Sequence, residues 1–301
     1  MALKDIKAKI KSTERTHKVT RAMEAVSAVK MRKTQAVALT RRPYARAALS
    51  VLARLSGTSG LGNHPLARAG TGGFALVMLT SDKGLAGALN SGVIKAATER
   101  IAGEPKQSIS VYAYGRKGEE FFARRGYRIA ASFENKRDDV PLSIIQELAR
   151  DLSIAFVKED LREVIVAYSN FKSTFEQIPT IRTLLPLSLS GISQLVRDIV
   201  PEKGKFSDTR TIQSPSAYEV EPSGEAVMDA LIPRLVAVSL YHMLLEAKAS
   251  EHSARMIAMK NASDKSKEVA YDLTRSFNKA RQAAITREVS EIVGGREALA
   301  A

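Results

Sequence analysis

The 301-residue chain is long enough for one large domain or two modest ones, and its 45% hydrophobic content can fill a core, which excludes wholesale disorder. The chain has no cysteine, so disulfides, thiolate zinc sites and thiol-based redox control are excluded. The formal net charge of +14 indicates a negatively charged partner, which leaves nucleic acid, an anionic membrane surface and an acidic protein open.

The positive charge is concentrated at the N-terminus. Residues 1–55 carry 14 Lys or Arg and 3 Asp or Glu, a net of +11, whereas residues 225–301 carry 11 and 10, a net of +1. No apolar run approaches the ~18 residues of a membrane helix, and the first residues contain no apolar signal segment. We therefore expect the protein to stay in the compartment where it is made.

The first predicted element is a helix from about Leu3 to Leu55. No glycine precedes Gly57, Pro43 is the only proline before it, and strong helix formers dominate the composition. Such a helix is roughly 80 Å long, too long to lie within a globular domain of this size. Its charge suits a solvated face, an acidic protein surface or nucleic acid, although the absence of an aromatic residue before Tyr44 disfavours single-strand binding.

Strand and helix patterns alternate from about residue 70 to 220, which predicts an α/β head domain with a parallel or mixed sheet covered by helices. The 171–189 stretch is β-branched and aromatic and predicts one or two edge strands. The polar 197–216 stretch predicts a mobile loop or insertion. The predicted strands are 75–80, 108–113, 127–132 and 164–168, and the predicted helices are 88–101, 117–124 and 141–157.

A second long helix is predicted from about Glu225 to Val293, with 294–301 as a tail. Pro233 is its only proline, and it would be roughly 100 Å long. One long helix enters the head domain and the other leaves it, so we predict that they form an antiparallel two-helix coiled coil. The alternative is that each helix packs flat on the domain.

Seam positions for this pair follow from spacings of three and four residues. On the first helix the pattern selects Val19, Met23 and Val26, or alternatively Ala22, Val26 and Val29. On the second it selects Leu273, Phe277, Ala280 and Ala284, and small residues between Ala247 and Ala262 would let the backbones approach closely.

The stretch FALVMLTSDKGLAGALN (74–90) has the outline of a nucleotide-binding loop. A phosphate loop needs Lys and Ser or Thr directly after its last glycine, but Ala88 follows Gly87 here, and Gly84 with Gly87 makes only GxxG. We therefore interpret Asp82, Lys83, Gly84 and Gly87 as a structural turn, with Gly87 allowing the next helix to lie close to the sheet. Weak anion binding at that helix N-terminus stays open.

No other pattern predicts chemistry. None of the four histidines lies three or four residues from another, and Ser250, Glu251 and His252 are adjacent in a helix and point in different directions. We expect no catalytic residues, no metal site and no cofactor.

Three blocks of sequence carry a family resemblance. They are KVTRAMEAVSAVKMRKTQ (18–35), LTSDKGLAGALN (79–90) and ASEHSARMIAMKNASDKSKE (249–268), the last followed by FNKARQAAITREVSEIVGG (277–295). Together they resemble the gamma subunit of F-type ATP synthases, in the right order and over residues 1 to about 299.

The resemblance implies a non-catalytic central rotor shaft. In that family the two terminal helices insert into a hexamer of alternating alpha and beta subunits, and the beta subunits hold the catalytic nucleotide sites. The head domain lies against the epsilon subunit and the ring of membrane c-subunits, and ion flow turns ring and shaft together. The implied location is peripheral, on the cytoplasmic face of a bacterial inner membrane or on the matrix side of an organelle.

Matching positions imply contacts with the beta subunits. Met23 and its neighbours Lys18, Thr20 and Arg21 match the segment near an acidic lever of a beta subunit. On the C-terminal helix the matching positions are Arg255, Arg281, Gln282, Thr286 and Glu288. Helix packing or solvation is the alternative role for each of them.

Two departures from the family pattern are Ala86, where many relatives have cysteine, and Ala88, where many have glycine. The chloroplast-type regulatory dithiol is absent, and the start at Met1 without a transit peptide is expected for a bacterial or organelle-encoded subunit, or for a mature form. The remaining alternative is a coiled-coil adaptor or nucleic-acid-binding protein with an α/β head.

Overall fold

Five strands form one mixed sheet in the computed structural model, which describes residues 3–58, 64–136, 140–188, 221 and 223–300. The strand order is β3-β2-β1-β4-β5; the first four are parallel and β5 pairs antiparallel with β4. The strands are β1 (Phe74–Leu79), β2 (Ile109–Tyr114), β3 (Arg128–Phe133), β4 (Glu163–Phe171) and β5 (Gln177–Leu185).

Five α-helices accompany the sheet in the described part of the chain: α1 (Leu3–Thr58), α2 (Leu89–Arg100), α3 (Arg116–Ala123), α4 (Leu142–Lys158) and α5 (Gly224–Ala300). Short 3₁₀ turns lie at Pro65–Ala67 and Lys106–Ser108. The predicted mixed α/β sheet is confirmed, with the four predicted strands displaced at their ends by one to three residues. The predicted edge region contributes one strand, β5. The predicted 197–216 loop lies outside the described residues.

Successive side chains of the central strands pack against helices on opposite faces of the sheet, which gives a core of three layers. Every residue of β1 is buried, since the strand lies in the middle of the sheet and both its faces are covered. Ala75, Val77 and Leu79 join a cluster with residues of α4 and α5, whereas the residues between them, such as Leu76, pack with α2 and α3. The sheet is therefore sandwiched between helices, which fixes the carboxyl end of β1.

The chain forms two compact units, Met1–Ala28 with Arg255–Ala301 and Val29–Ala254. In the first unit α1 and α5 form the predicted antiparallel pair. His17 Nδ1 lies 2.9 Å from the carbonyl oxygen of Ser263, and antiparallel pairing in this register brings the start of α1 beside Phe277. The burial of α5 side chains agrees with this register. Half-buried side chains occur as far as Ala284, and every described side chain beyond it is exposed.

The predicted seam is confirmed on α5; on α1 it is wrong for the valines, although Met23 is half-buried. Leu273, Phe277, Ala280 and Ala284 are half-buried, whereas Val19 and Val26 are 53% and 54% exposed. The α1 side chains that are buried in this unit are Ile6, Thr20 and Ser27. Thr20 and Ser27, each directly after one of these valines in sequence, therefore lie on the seam in place of the valines.

Helix α5 has a buried segment in the second unit. An 18-residue window within Gly224–Val293 has a mean hydropathy of 1.4, and 56% of that window is buried in the structure. The prediction that no apolar run approaches the length of a membrane helix is therefore wrong. A core helix passes the same length and composition test as a membrane span, and Leu235, Leu240 and Leu244 of this helix are core residues. The helix also continues past the predicted end at Val293 to Ala300.

Candidate functional site

The carboxyl end of β1 is the place where the sequence suggested a nucleotide loop. Strand order reverses around β1 and β4, and ligands of doubly wound sheets bind at such a reversal. The three residues after the strand, Thr80, Ser81 and Asp82, are nevertheless buried, with 3%, 1% and 7% exposure. Their polar groups must therefore have partners inside the protein.

Asp82 connects three parts of the chain through its carboxylate. Oδ1 accepts a hydrogen bond from the N–H of Arg116 at 2.8 Å, and Oδ2 accepts one from the N–H of Asn135 at 2.9 Å. Arg116 begins α3 and Asn135 follows β3, so one side chain holds both elements against the end of β1. A buried carboxylate with two N–H donors is a strong structural interaction.

The two residues before Asp82 complete the cap of α3. The N–H of Lys117 donates to the carbonyl of Ser81 at 3.2 Å, and the N–H of Gly118 donates to Thr80 Oγ1 at 2.9 Å. With Arg116, these are the first three N–H groups of the helix, which otherwise would be available to an anion. The polar residues of the motif thus serve α3 rather than α2, the helix that follows them in sequence.

Burial at this strand end also affects Tyr114, the last residue of β2. Burial raises the pKa of its hydroxyl to about 12, and the negative charge of Asp82 contributes to the increase. The phenol therefore stays protonated under physiological conditions. Its ring stacks on Phe133 with the centroids 6.1 Å apart, which makes it a packing residue.

The expected packing role of Gly87 is wrong. A Cβ added at Gly84 or Gly87 would meet nothing within 4 Å. Gly87 has a φ of +57°, so glycine is favoured there by backbone conformation. Close approach occurs instead at Gly115, where an added Cβ would lie 2.0 Å from the carbonyl oxygen of Thr80.

The residues matched to beta-subunit contacts lie on the paired helices of the first unit. Lys18 and Arg21 are exposed, Met23 and Arg255 are half-buried, and Thr20 is buried. The Thr20 hydroxyl donates to the backbone carbonyls of Thr16 and His17, which favours a packing role for it. The exposed positions on α5 are Arg281, Gln282, Thr286 and Glu288.

Two valines that the spacing assigned to the helix seam are exposed instead. Val19 and Val26 are seven residues apart and therefore share one face of α1, with the exposed Arg15 one helical turn before Val19. The spacing of three and four residues identifies an apolar stripe, but it does not determine which surface covers that stripe. In the first unit this stripe faces away from α5.

No metal centre accompanies these surfaces. Within the described ranges, no three His, Cys, Asp or Glu side chains lie together in a way that could hold a metal ion.

Comparison with known proteins covers the chain from end to end. The family described as ATP synthase matches residues 2–299. An ATP synthase gamma chain from Moorella thermoacetica is 40% identical over 300 residues, with 99% of each chain covered. One from Roseiflexus castenholzii is 41% identical over 302 residues, covering 99% of this chain and 98% of that one.

Solved structures show the same fold. A chain from the central stalk and c-ring of the Tetrahymena thermophila mitochondrial ATP synthase has a TM-score of 0.58 and 26% identity, covering 81% of this chain and 99% of that one. A chain from the Euglena gracilis mitochondrial ATP synthase has a TM-score of 0.66 at 15% identity, covering 99% and 94%; at that identity it speaks for the fold alone.

A mixed α/β sheet with two long paired helices is the fold that this chain shares with the central-stalk chain of an ATP synthase, and that defines its class. The chain belongs to the ATP synthase gamma-chain family. As a gamma subunit it is the central-stalk rotor of the ATP synthase, and it is not itself catalytic.

Proposed function

We propose that this chain couples ion-driven rotation of a membrane c-ring to conformational change, and hence to ATP synthesis or hydrolysis, at sites held by beta subunits. Residues 1–56 and 225–293 act as the shaft and 70–220 as the head, with 294–301 as the tail. The partners are the alpha and beta subunits, the epsilon subunit and the c-ring. The protein is peripheral to the membrane, on the cytoplasmic face in a bacterium or the matrix side in an organelle.

The observation that carries this proposal is the outward face of α1 in the first unit. Val19 and Val26 remain exposed although α5 is available to cover them, and the exposed Arg15 lies one helical turn before Val19 on the same face. Lys18 and Arg21 are exposed on other faces of this helix. A helix that exposes apolar side chains together with cations is complementary to a protein surface that has apolar and acidic parts. Duplex DNA would match the cations but leave the valines exposed to water.

A shaft must act on several sites in turn, so its surface has to be asymmetric. It shifts nucleotide affinity by contacting the conformations of the beta subunits differently as it turns. Met23, Arg255, Arg281, Gln282, Thr286 and Glu288 are the contact residues that we assign to this action, with Lys18 and Arg21. Thr20 contributes by packing.

Reconstitution tests the assignment. The purified chain is mixed with alpha and beta subunits and separately with duplex DNA at physiological salt. We expect a stoichiometric complex with the subunits and no mobility shift of the DNA. A DNA shift without subunit binding would support the nucleic-acid-binding alternative, because basic helices of this kind bind phosphate through salt-dependent contacts.

The Met23→Lys variant tests the contact itself. It adds a cation to a half-buried position next to Lys18 and Arg21, and a lysine there can extend its ammonium to the surface toward the lever. We expect the number of ions pumped per ATP hydrolysed to fall about fivefold, which corresponds to the low end of typical allosteric coupling energies. The rate of ATP hydrolysis should fall much less. The measurement is ATP-driven pumping and ATP hydrolysis in the same vesicles.

Ala8→Lys is the matched control, since it adds the same charge to an exposed position elsewhere on α1. It should leave the ratio of pumping to hydrolysis unchanged. Equal losses of both activities in Met23→Lys, or failure of that variant to assemble, would count against a contact at Met23.

A further inference from the structure

Helix α5 carries a row of polar side chains where it crosses strands β4 and β5 in the second unit. His242, Glu246, Ser250 and Ser253 follow one another at intervals of four, four and three residues, so they lie along one side of the helix. We call these four residues the polar ladder. Leu240, Leu244 and Leu245 of the same helix belong to the core, and Lys248, Glu251 and His252 are further buried polar residues between or beside the ladder positions.

The two serines bind the β4–β5 hairpin directly. Ser250 Oγ donates to the carbonyl of Ser169 on β4 at 2.9 Å, and Ser253 Oγ donates to the carbonyl of Thr174 in the turn between the strands. Both serines are 0% exposed and Ser169 is 2% exposed. The hydrogen bond between Ser250 and Ser169 is therefore shielded from water, and a displaced Ser250 hydroxyl would be left without an acceptor. The bond between Ser253 and Thr174 is partly buried.

At the other end of the ladder, Glu246 lies near Tyr168 of β4, which is hydrogen-bonded to Arg182 of β5. Arg182 Nε on β5 donates to the hydroxyl oxygen of Tyr168 on β4 at 2.9 Å, and Tyr168 is 1% exposed. Burial raises the pKa of Tyr168 and the nearby Glu246 carboxylate raises it further, while Arg182 lowers it. Glu246 Oε1 in turn lies 3.0 Å from His242 Nε2. Strand and helix are thus connected by polar contacts over about three helical turns.

Apolar packing alone would not determine the rotation of α5 about its own axis. It is non-directional, so a slip of the helix costs only part of the buried apolar area. Buried hydrogen bonds are directional, and a helix that turned or slid by one residue would lose both serine contacts at once. The ladder therefore selects one orientation of α5 on the hairpin.

We propose that the polar ladder is the element through which torque passes from the head to the C-terminal shaft helix. The proposal rests on the coupling role proposed above. Ser250 and Ser253 are positioning residues in this account: they contact no nucleotide and act by preventing slip between α5 and the sheet during rotation.

The test is the Ser250→Ala/Ser253→Ala double variant in the assembled ATP synthase, in sealed vesicles. We expect ATP hydrolysis within about twofold of the parent and ions pumped per ATP reduced about threefold or more, since each lost buried hydrogen bond shifts the balance between orientations by about fivefold. Thr274→Ala is the matched control: its hydroxyl donates to the carbonyl of Ala270 in the same helix at 2.8 Å, and this variant should keep the parent ratio.

An unchanged ratio of ions pumped to ATP hydrolysed in the assembled double variant would overturn the proposal, even if its melting temperature or yield fell. The two serines would then contribute to the stability of the fold and not to coupling. If the double variant does not assemble, each single variant is measured in the same way, and unchanged ratios in both have the same meaning. A parent enzyme that hydrolyses ATP without pumping would contradict the proposed function instead, and it is recognised before any variant is compared.

Discussion

We expect the Asp82→Ala variant to have a free energy of unfolding about 3 kcal/mol below that of the parent, since the buried N–H groups of Arg116 and Asn135 both lose their acceptor. For a chain of this size that corresponds to a melting temperature lower by roughly 6 to 12 °C. Thermal unfolding of the full-length chain, followed by circular dichroism, measures the change.

Glu134→Ala is the control for loss of a carboxylate in the same region. Glu134 is exposed and pairs with Lys136 at the surface, and such pairs contribute less than about 1 kcal/mol. Similar melting temperatures for the two variants would mean that the carboxylate of Asp82 does not hold α3 and the segment after β3 in place.

Gly115→Ala is expected to have a larger effect, of about 4 kcal/mol or more, and to leave little folded protein. Gly115 has a φ of +111°, and an added Cβ would lie 2.0 Å from the carbonyl oxygen of Thr80. Backbone at that distance cannot move aside without separating β1 from α3. The amount of soluble chain and its resistance to protease measure the effect.

Gly126→Ala separates the strain of a positive φ from the steric overlap of an added Cβ. Gly126 has a φ of +79°, but an added Cβ would meet nothing within 4 Å. It should therefore cost only the conformational strain of about 1 to 2 kcal/mol. If Gly115→Ala proved no more damaging than Gly126→Ala, the close approach of Gly115 to Thr80 would not matter for stability.

The fold could be predicted from the sequence because its signals are local. Strand β1 is a continuous apolar run between glycines and a polar turn, and α1 and α5 are long stretches almost without glycine or proline. Pattern and composition determine such elements with little help from tertiary contacts. The antiparallel direction of β5 was not predicted, since the edge region showed β propensity without a partner.

The role of Asp82 could not be predicted in the same way. Its partners Arg116 and Asn135 are 34 and 53 residues away in sequence, and nothing in LTSDKG indicates which N–H groups it binds. The α1 seam failed for a related reason: spacing identifies Val19 and Val26 as one stripe, but whether the stripe meets α5 or another surface depends on contacts made elsewhere.

The closure of the β1 end by Thr80, Ser81 and Asp82 has a mechanical consequence. Many sheets of this topology become rigid at that edge only when a small molecule occupies it, so their stiffness varies with its concentration. Here a carboxylate from the chain itself is permanently in place at the start of α3. The hydrogen bonds that hold α3 and the segment after β3 at this edge therefore come from the chain itself and need no bound nucleotide.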